Sequence, residues 1–211
     1  MPKTLDATFD PGSRWAPVEE GTYPAHIASL STKEVNTRAG EAIVVNMTYK
    51  VAREVDEMTQ LLWEMDGYEY LKDQSGQRIP LKNGDGEQQI SSCNHLKDKT
   101  FYDNGFFIFT DTSSSSKNRR YFELLDNLNI NCEENTVEGK KVKQLVLIEE
   151  EDVVGKPVQI TIKKHEFVTT ETKHLPYDQQ EKRSTFKVNS VVTWADGEQL
   201  SMDEIEDDVP F

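Results

Sequence analysis

Apolar and polar positions alternate along much of the chain from residue 22 onward. Thr22 to Leu30 places Tyr23, Ala25 and Ile27 on one side, and Gly40 to Arg53 places Ile43, Val45, Met47, Tyr49 and Val51 opposite Asn46, Thr48 and Lys50. A period of two over such lengths predicts half-buried strands. The polar link from Ser31 to Ala39, with Asn36 and Gly40 as turn residues, joins the two into a long hairpin. Leu61, Trp63 and Met65 alternate again and predict a third strand, although Met58, Leu61, Leu62 and Met65 also fit a helical spacing. Residues 67–118 form a long polar excursion. Turn signals at Asp73-Gln74-Ser75-Gly76 and Asn83-Gly84-Asp85-Gly86 allow a small hairpin from Tyr68 to Leu81, and Phe106 to Thr110 reads as a short strand. Ser113 to Ser116 is a low-complexity run.

The second half repeats the strand signal after one helix. Arg119 to Ile130 sets Tyr121 or Phe122, Leu125 and Leu128 on a single stripe, as an amphipathic helix requires. Lys156 to Val168 buries Val158, Ile160 and Ile162; Thr185 to Trp194 alternates Phe186, Val188, Ser190, Val192 and Trp194 against Lys187, Asn189 and Thr193. A polar loop, Thr169 to Ser184, separates them. Three strands, an excursion, one helix and two strands is the order of a five-stranded OB barrel with one helix between strands 3 and 4. The expected fold is mainly β: an N-terminal arm at 1–20, the OB barrel at 21–195 with a long β-rich insertion at 67–118, and a disordered acidic C-terminal tail at 196–211.

Composition narrows the picture. Only 36% of the 211 residues are hydrophobic and the mean hydropathy is −0.69, enough for one modest core. No stretch approaches the length of a membrane span, and Met1-Pro2-Lys3-Thr4-Leu5-Asp6 lacks a secretory apolar region, so an intracellular, cytoplasmic protein is expected. Cys93 and Cys132 are too few and too far apart for a disulfide framework and read as free thiols in or near the core. The formal charge of −14 is uneven: residues 196–211 hold seven acids and no Lys or Arg, leaving 24 bases against 31 acids elsewhere. Another acidic knot lies at Glu149-Glu150-Glu151-Asp152. The remaining body is near balance, so a local basic face able to meet phosphates is compatible with an acidic whole.

Catalytic patterns are missing from the sequence. Gly139-Lys140-Lys141 and Gly155-Lys156-Pro157 lack the upstream Gly and following Ser/Thr of a phosphate loop, and there is no nucleophile elbow. Cys93-Asn94-His95 is the one close Cys/His pair, short of the four convergent ligands of structural zinc. A non-enzyme without cofactor or metal is expected. Binding fits better. Lys33, Arg38, Lys50, Arg53, Lys163, Lys164, Arg183 and Lys187 fall on the first, second, fourth and fifth strands or their joining loops, the side on which an OB barrel holds single strands. Trp63, Tyr68, Tyr70, Phe106, Phe107 and Phe167 are candidate rings for stacking unpaired bases, though Trp63 and Phe107 suit a core equally well and Trp194 lies on the apolar register.

The terminus Asp207-Asp208-Val209-Pro210-Phe211 places an aromatic ring and a free carboxylate at the last position, where a basic-rimmed apolar pocket on a partner can take both. It resembles the Asp-Asp-Ile-Pro-Phe type ending of bacterial single-stranded DNA-binding proteins. The body resembles the OB-fold single-stranded DNA-binding proteins of tailed bacteriophages, through Gly21-Thr22-Tyr23, Gly155-Lys156-Pro157-Val158 and Val188-Asn189-Ser190-Val191. The resemblance implies a protein that coats single-stranded DNA in replication, recombination and repair. It also implies recruitment of polymerase, helicase or primase through residues 207–211. Two other classes fit the composition: an acidic adaptor or DNA mimic, which needs carboxylates spread over the folded surface, and an OB-like nuclease, which needs convergent carboxylates around a divalent ion.

Overall fold

The structure, a computed structural model, describes residues 18–66, 69–110, 116–137 and 139–206. In chain order the strands are β1 (Gly21–Thr37), β2 (Gly40–Val51), β3 (Thr59–Leu61), β4 (Met65–Asp66), β5 (Glu69–Tyr70), β6 (Ile90–Ser92), β7 (Thr100–Tyr102), β8 (Phe106–Phe109), β9 (Glu134–Val137), β10 (Lys140–Lys143), β11 (Pro157–Val168) and β12 (Lys182–Thr193). The helices are α1 (Arg119–Asn127), α2 (Glu150–Val153) and α3 (Met202–Glu206). The molecule is mainly β. One antiparallel sheet runs β12-β11-β1-β2-β7, with β8 also pairing β2 beyond β7. It does not close into the expected barrel: no backbone ladder joins β12 to β7 or β8 among the described residues. Nor is any described helix long and apolar enough to cross a membrane.

The period-two pattern locates the core. Tyr23, Ala25 and Ile27 of β1, Val45, Met47, Tyr49 and Val51 of β2, and Val158, Ile160 and Ile162 of β11 are buried on one face. Helix α1 covers that face with Tyr121, Leu124 and Leu125, and its chain reverses at Asn129 in the left-handed region (φ 55°), where Ile130 N–H reaches back to Leu125 C=O at 2.9 Å. The expected link at 31–39 is strand instead, because pairing continues to Thr37 opposite Gly40 and leaves a two-residue turn. Along β12 one extra residue, Asn189, lies between Ser190 opposite Thr161 and Val188 opposite Ile162. This bulge flips the later register, burying Val191 and turning the expected core residue Val192 outward.

The third strand of the sheet is not Leu61 to Met65. Leu61 is 47% exposed and pairs with Ile90 in a separate two-stranded sheet. β7 and β8, inside the expected insertion, take the place beside β2. The insertion proper spans roughly 59–92 and is built on two stacked three-membered backbone rings. In one, Leu71 N–H donates to Glu64, Ile79 to Leu71 and Glu64 to Ile79; in the other, Leu81 donates to Leu62, Gln89 to Leu81 and Leu62 to Gln89. A ten-residue repeat underlies them, Leu71-Lys72-Asp73 to Gly76-Gln77 and Leu81-Lys82-Asn83 to Gly86-Glu87. Asp73 Oδ1 accepts the N–H groups of Ser75 and Gln77, and Asn83 Oδ1 those of Asp85 and Glu87. The insertion is tied to the start of β1 by Glu19, whose carboxylate accepts from Arg78 at 2.7 Å and from the Tyr70 hydroxyl.

Candidate nucleic-acid interface

Strand alternation puts the even-numbered residues of β2 on the face away from the core. Opposite them stand Tyr102 at Thr48, Phe107 at Val44 and Phe109 at Ala42. These three rings therefore line one outer face over six residues of β2, about 20 Å at strand rise. Tyr102 is 60% exposed and Phe107 40%, while Phe107 and Phe109 lie nearly parallel, 19° apart with centroids separated by 6.3 Å. The kink Asp103-Asn104-Gly105 divides the row. Asp103 holds it through Oδ1, which accepts Gly105 N–H at 2.8 Å, and Oδ2, which accepts the hydroxyl of the fully buried Tyr49 at 3.0 Å. Burial pushes the Asp103 carboxyl above its usual range, against the hydrogen bonds from Gly105 and Tyr49. The Tyr49 phenol is raised well above its own by burial and by Asp103.

Basic groups border the row at the β1–β2 turn. Arg38 and Ala39 overhang a hollow of about 430 Å³ lined also by Phe106, Phe107, Phe109, Lys117 and Arg120. Lys117 Nζ donates to Ala39 C=O at 2.7 Å and lies 5.2 Å from the centroid of Phe109, and the Arg120 guanidinium is 5.8 Å from that of Phe106. Lys33, opposite Val44, adds a charge on the same outer face. Of the candidate residues, Lys33, Arg38, Phe106 and Phe107 are thus brought together, Phe106 packed against the core. Tyr102, Phe109, Lys117 and Arg120 join them without having been singled out in the sequence. The available signal was the two-residue spacing of Phe107 and Phe109 within the expected strand Phe106 to Thr110.

The other candidates lie elsewhere. Lys163, Lys164, Phe167 and Arg183 are exposed on the hairpin of β11 and β12, with Lys187 half-buried beside them. Lys187 Nζ crosses the unpaired seam to Asn104 Oδ1 at 2.7 Å, which brings this hairpin to the kink of the aromatic row. Tyr177, 74% exposed in the loop at 169–181, pairs with Lys182. Trp63 and Tyr70 are engaged within the insertion: the Arg78 guanidinium stands 4.1 Å from the Tyr70 ring and 5.8 Å from that of Trp63. Tyr68 lies outside the described residues.

Lys50 and Arg53 line a hollow of about 340 Å³ with His26, Glu204 and Ile205. Here the expectation of a disordered tail from residue 196 is corrected: Asp196 to Glu206 runs against the body. Leu200 N–H donates to Gly155 C=O at 3.1 Å, His26 Nε2 meets Glu198 C=O at 2.9 Å, and Ile205 is 5% exposed. Gly155 (φ 81°) is required, since a Cβ there would meet Leu200 C=O at 1.9 Å. Lys50 Nζ donates to Ile205 C=O at 3.4 Å. Asp207, Asp208, Val209, Pro210 and Phe211 lie outside the described residues. No protein-family model matches the chain, and comparison with curated proteins and with solved structures gives no match.

Proposed function

We propose that this chain is a non-enzymatic single-stranded DNA-binding protein of phage type that coats exposed strands during replication, recombination and repair. The observation that carries this function is the outer-face row of exposed Tyr102 and Phe107 and half-buried Phe109, with Lys33 on the same face and Arg38, Lys117 and Arg120 at its turn end. Stacked bases need such rings, and the backbone between them needs such charges. The strand order supports an OB-type sheet: reading β7 and β8 as one third strand, the order is five-four-one-two-three, with α1 before the fourth. In this assignment the β1–β2 turn and the β11–β12 hairpin flank the row as the two binding loops of that fold. The basic outer face argues against a DNA mimic, which requires carboxylates there.

The acidic end supplies regulation and partners. The chain reaches Glu206 beside Lys50, two residues along β2 from the site opposite Tyr102. The acidic residues 207–211 that follow in the sequence compete with phosphates for the DNA face and recruit replication enzymes once displaced. The test is a titration of tryptophan fluorescence with oligo-dT at low and moderate salt. Saturable quenching that weakens with salt is expected; no binding at low salt overturns the function.

A further inference from the structure

We infer that the hollow under the β1–β2 turn is a single-nucleotide subsite, holding one base turned out of the strand with its phosphate on Arg38 and Arg120. This rests on the proposed single-strand function and assigns a distinct role to one end of the aromatic row. The hollow is bounded on opposite sides by the turn residues Thr37, Arg38 and Ala39 and by Lys117 and Arg120. Its volume of about 430 Å³ is at the small end for ligand sites, the scale of one nucleotide rather than a run of them. Phe107 and Phe109 provide apolar ring surface for a base, which every base can use because each has a π-face, while Phe106, opposite Val45 and packed against the core, closes the wall.

The rim fixes the charge. Lys117 is exposed, yet its ammonium is bound to Ala39 C=O at 2.7 Å and bridges helix side to turn side. It therefore acts as a clip that sets the width of the hollow. Arg38 and Arg120 stay exposed on either side, where guanidinium forks can each take two phosphate oxygens. Gly105 forms part of the wall at φ 75°, and a Cβ there would come within 2.6 Å of Val44 Cγ1 and 2.9 Å of Asn46 Oδ1. The apolar interior with guanidiniums at its mouth matches one nucleotide of a strand: base inside, phosphodiester monoanion at the rim.

The experiment is a titration of the full chain with dTMP, thymidine, inorganic phosphate and the peptide Asp-Asp-Val-Pro-Phe, followed by backbone amide shifts of Gly105, Phe107 and Lys117. Saturable millimolar shifts with dTMP are expected, weaker by about tenfold with thymidine and by about tenfold in Arg120→Gln or Arg38→Gln, the loss of one charge-assisted contact. Both arginines are exposed, so the unperturbed remainder of the spectrum reports the fold of each variant. Equal shifts with inorganic phosphate, stronger shifts with the peptide, or no shift with dTMP while oligo-dT still binds overturn the subsite and leave the single-strand function standing. Failure of oligo-dT as well overturns both.

Discussion

Asn118 completes the edge of strand β8 from its side chain: Oδ1 accepts Phe109 N–H at 2.8 Å and Nδ2 donates to Phe109 C=O at 2.9 Å. At the other end of α1, Asn127 Nδ2 donates to Val191 C=O of β12 at 3.0 Å, and its own carbonyl accepts from the Thr193 hydroxyl. The residues at the two ends of the helix thus bond one residue of β8 and two of β12, the edges that a closed barrel would have joined. Asn118 is 3% exposed, so its replacement strands partners away from water. Asn118→Ala is expected to cost about 2 kcal/mol, given roughly 1–3 kcal/mol per buried group left unpaired. Urea denaturation measures the cost, and faster amide exchange confined to Phe109 and its neighbours locates it.

The aromatic row and its border separate stacking from charge. Tyr102→Ala and Phe107→Ala are each expected to weaken oligo-dT binding by about 1–3 kcal/mol, the usual worth of one stacked base, with the salt dependence kept. Arg38→Gln and Arg120→Gln, whose guanidiniums share one phosphate, are expected together to lower the slope of log affinity against log salt by about 0.7, one phosphate contact on a single strand. A Tyr102→Ala chain that binds as tightly as the parent removes this ring from the interface.

Strand faces were readable where alternation is long and one-sided. Tyr23 to Ile27, Ile43 to Val51 and Val158 to Ile162 all face inward as their spacing requires. Register past a bulge was not, because Asn189 adds one residue with no composition signal and exchanges Val192 for Val191 in the core. The third strand was misplaced because Leu61, Trp63 and Met65 alternate as well as Phe106 and Ile108 do; only tertiary pairing with β2 distinguishes them. The repeat of Leu71-Lys72-Asp73 at Leu81-Lys82-Asn83 was visible in the sequence and marks the true insertion. Lys117 and Arg120 gave no signal, since what makes them part of a site is the fold of α1 beside the β1–β2 turn.

Asp103 makes stability pH-dependent in a direction opposite to most carboxylates. Its folded value is raised by burial, so the folded state holds this proton more tightly than the unfolded chain does. The stability it confers is complete below the ordinary carboxyl value near 4 and is lost as pH rises through the raised folded value. Asp103→Asn keeps an acceptor for Gly105 N–H and a polar neighbour for Tyr49 without the charge. The variant is expected to gain stability relative to the parent as pH rises from 4 to 7. Denaturant midpoints across that range test it, and a difference that stays flat or shrinks refutes the buried charge as its source.

The acidic end contains two parts with separable effects. Residues 197–206 hold Leu200 and the buried Ile205 against the body, whereas Asp207 to Phe211 follow them with two carboxylates and the terminal ring. Ending the chain after Glu206 is expected to leave the melting temperature unchanged and to tighten oligo-dT binding at low salt, because the carboxylates of Asp207, Asp208 and the terminus no longer compete with phosphate. Ending it after Asp196 also removes Ile205, worth about 1.5–3 kcal/mol of burial, and should lower the melting temperature by roughly 5–10 °C. Scanning calorimetry and oligo-dT titrations on both truncations distinguish the two contributions. If the shorter truncation binds DNA no more tightly than the full chain, competition by the terminus is wrong, and residues 207–211 act on partners alone.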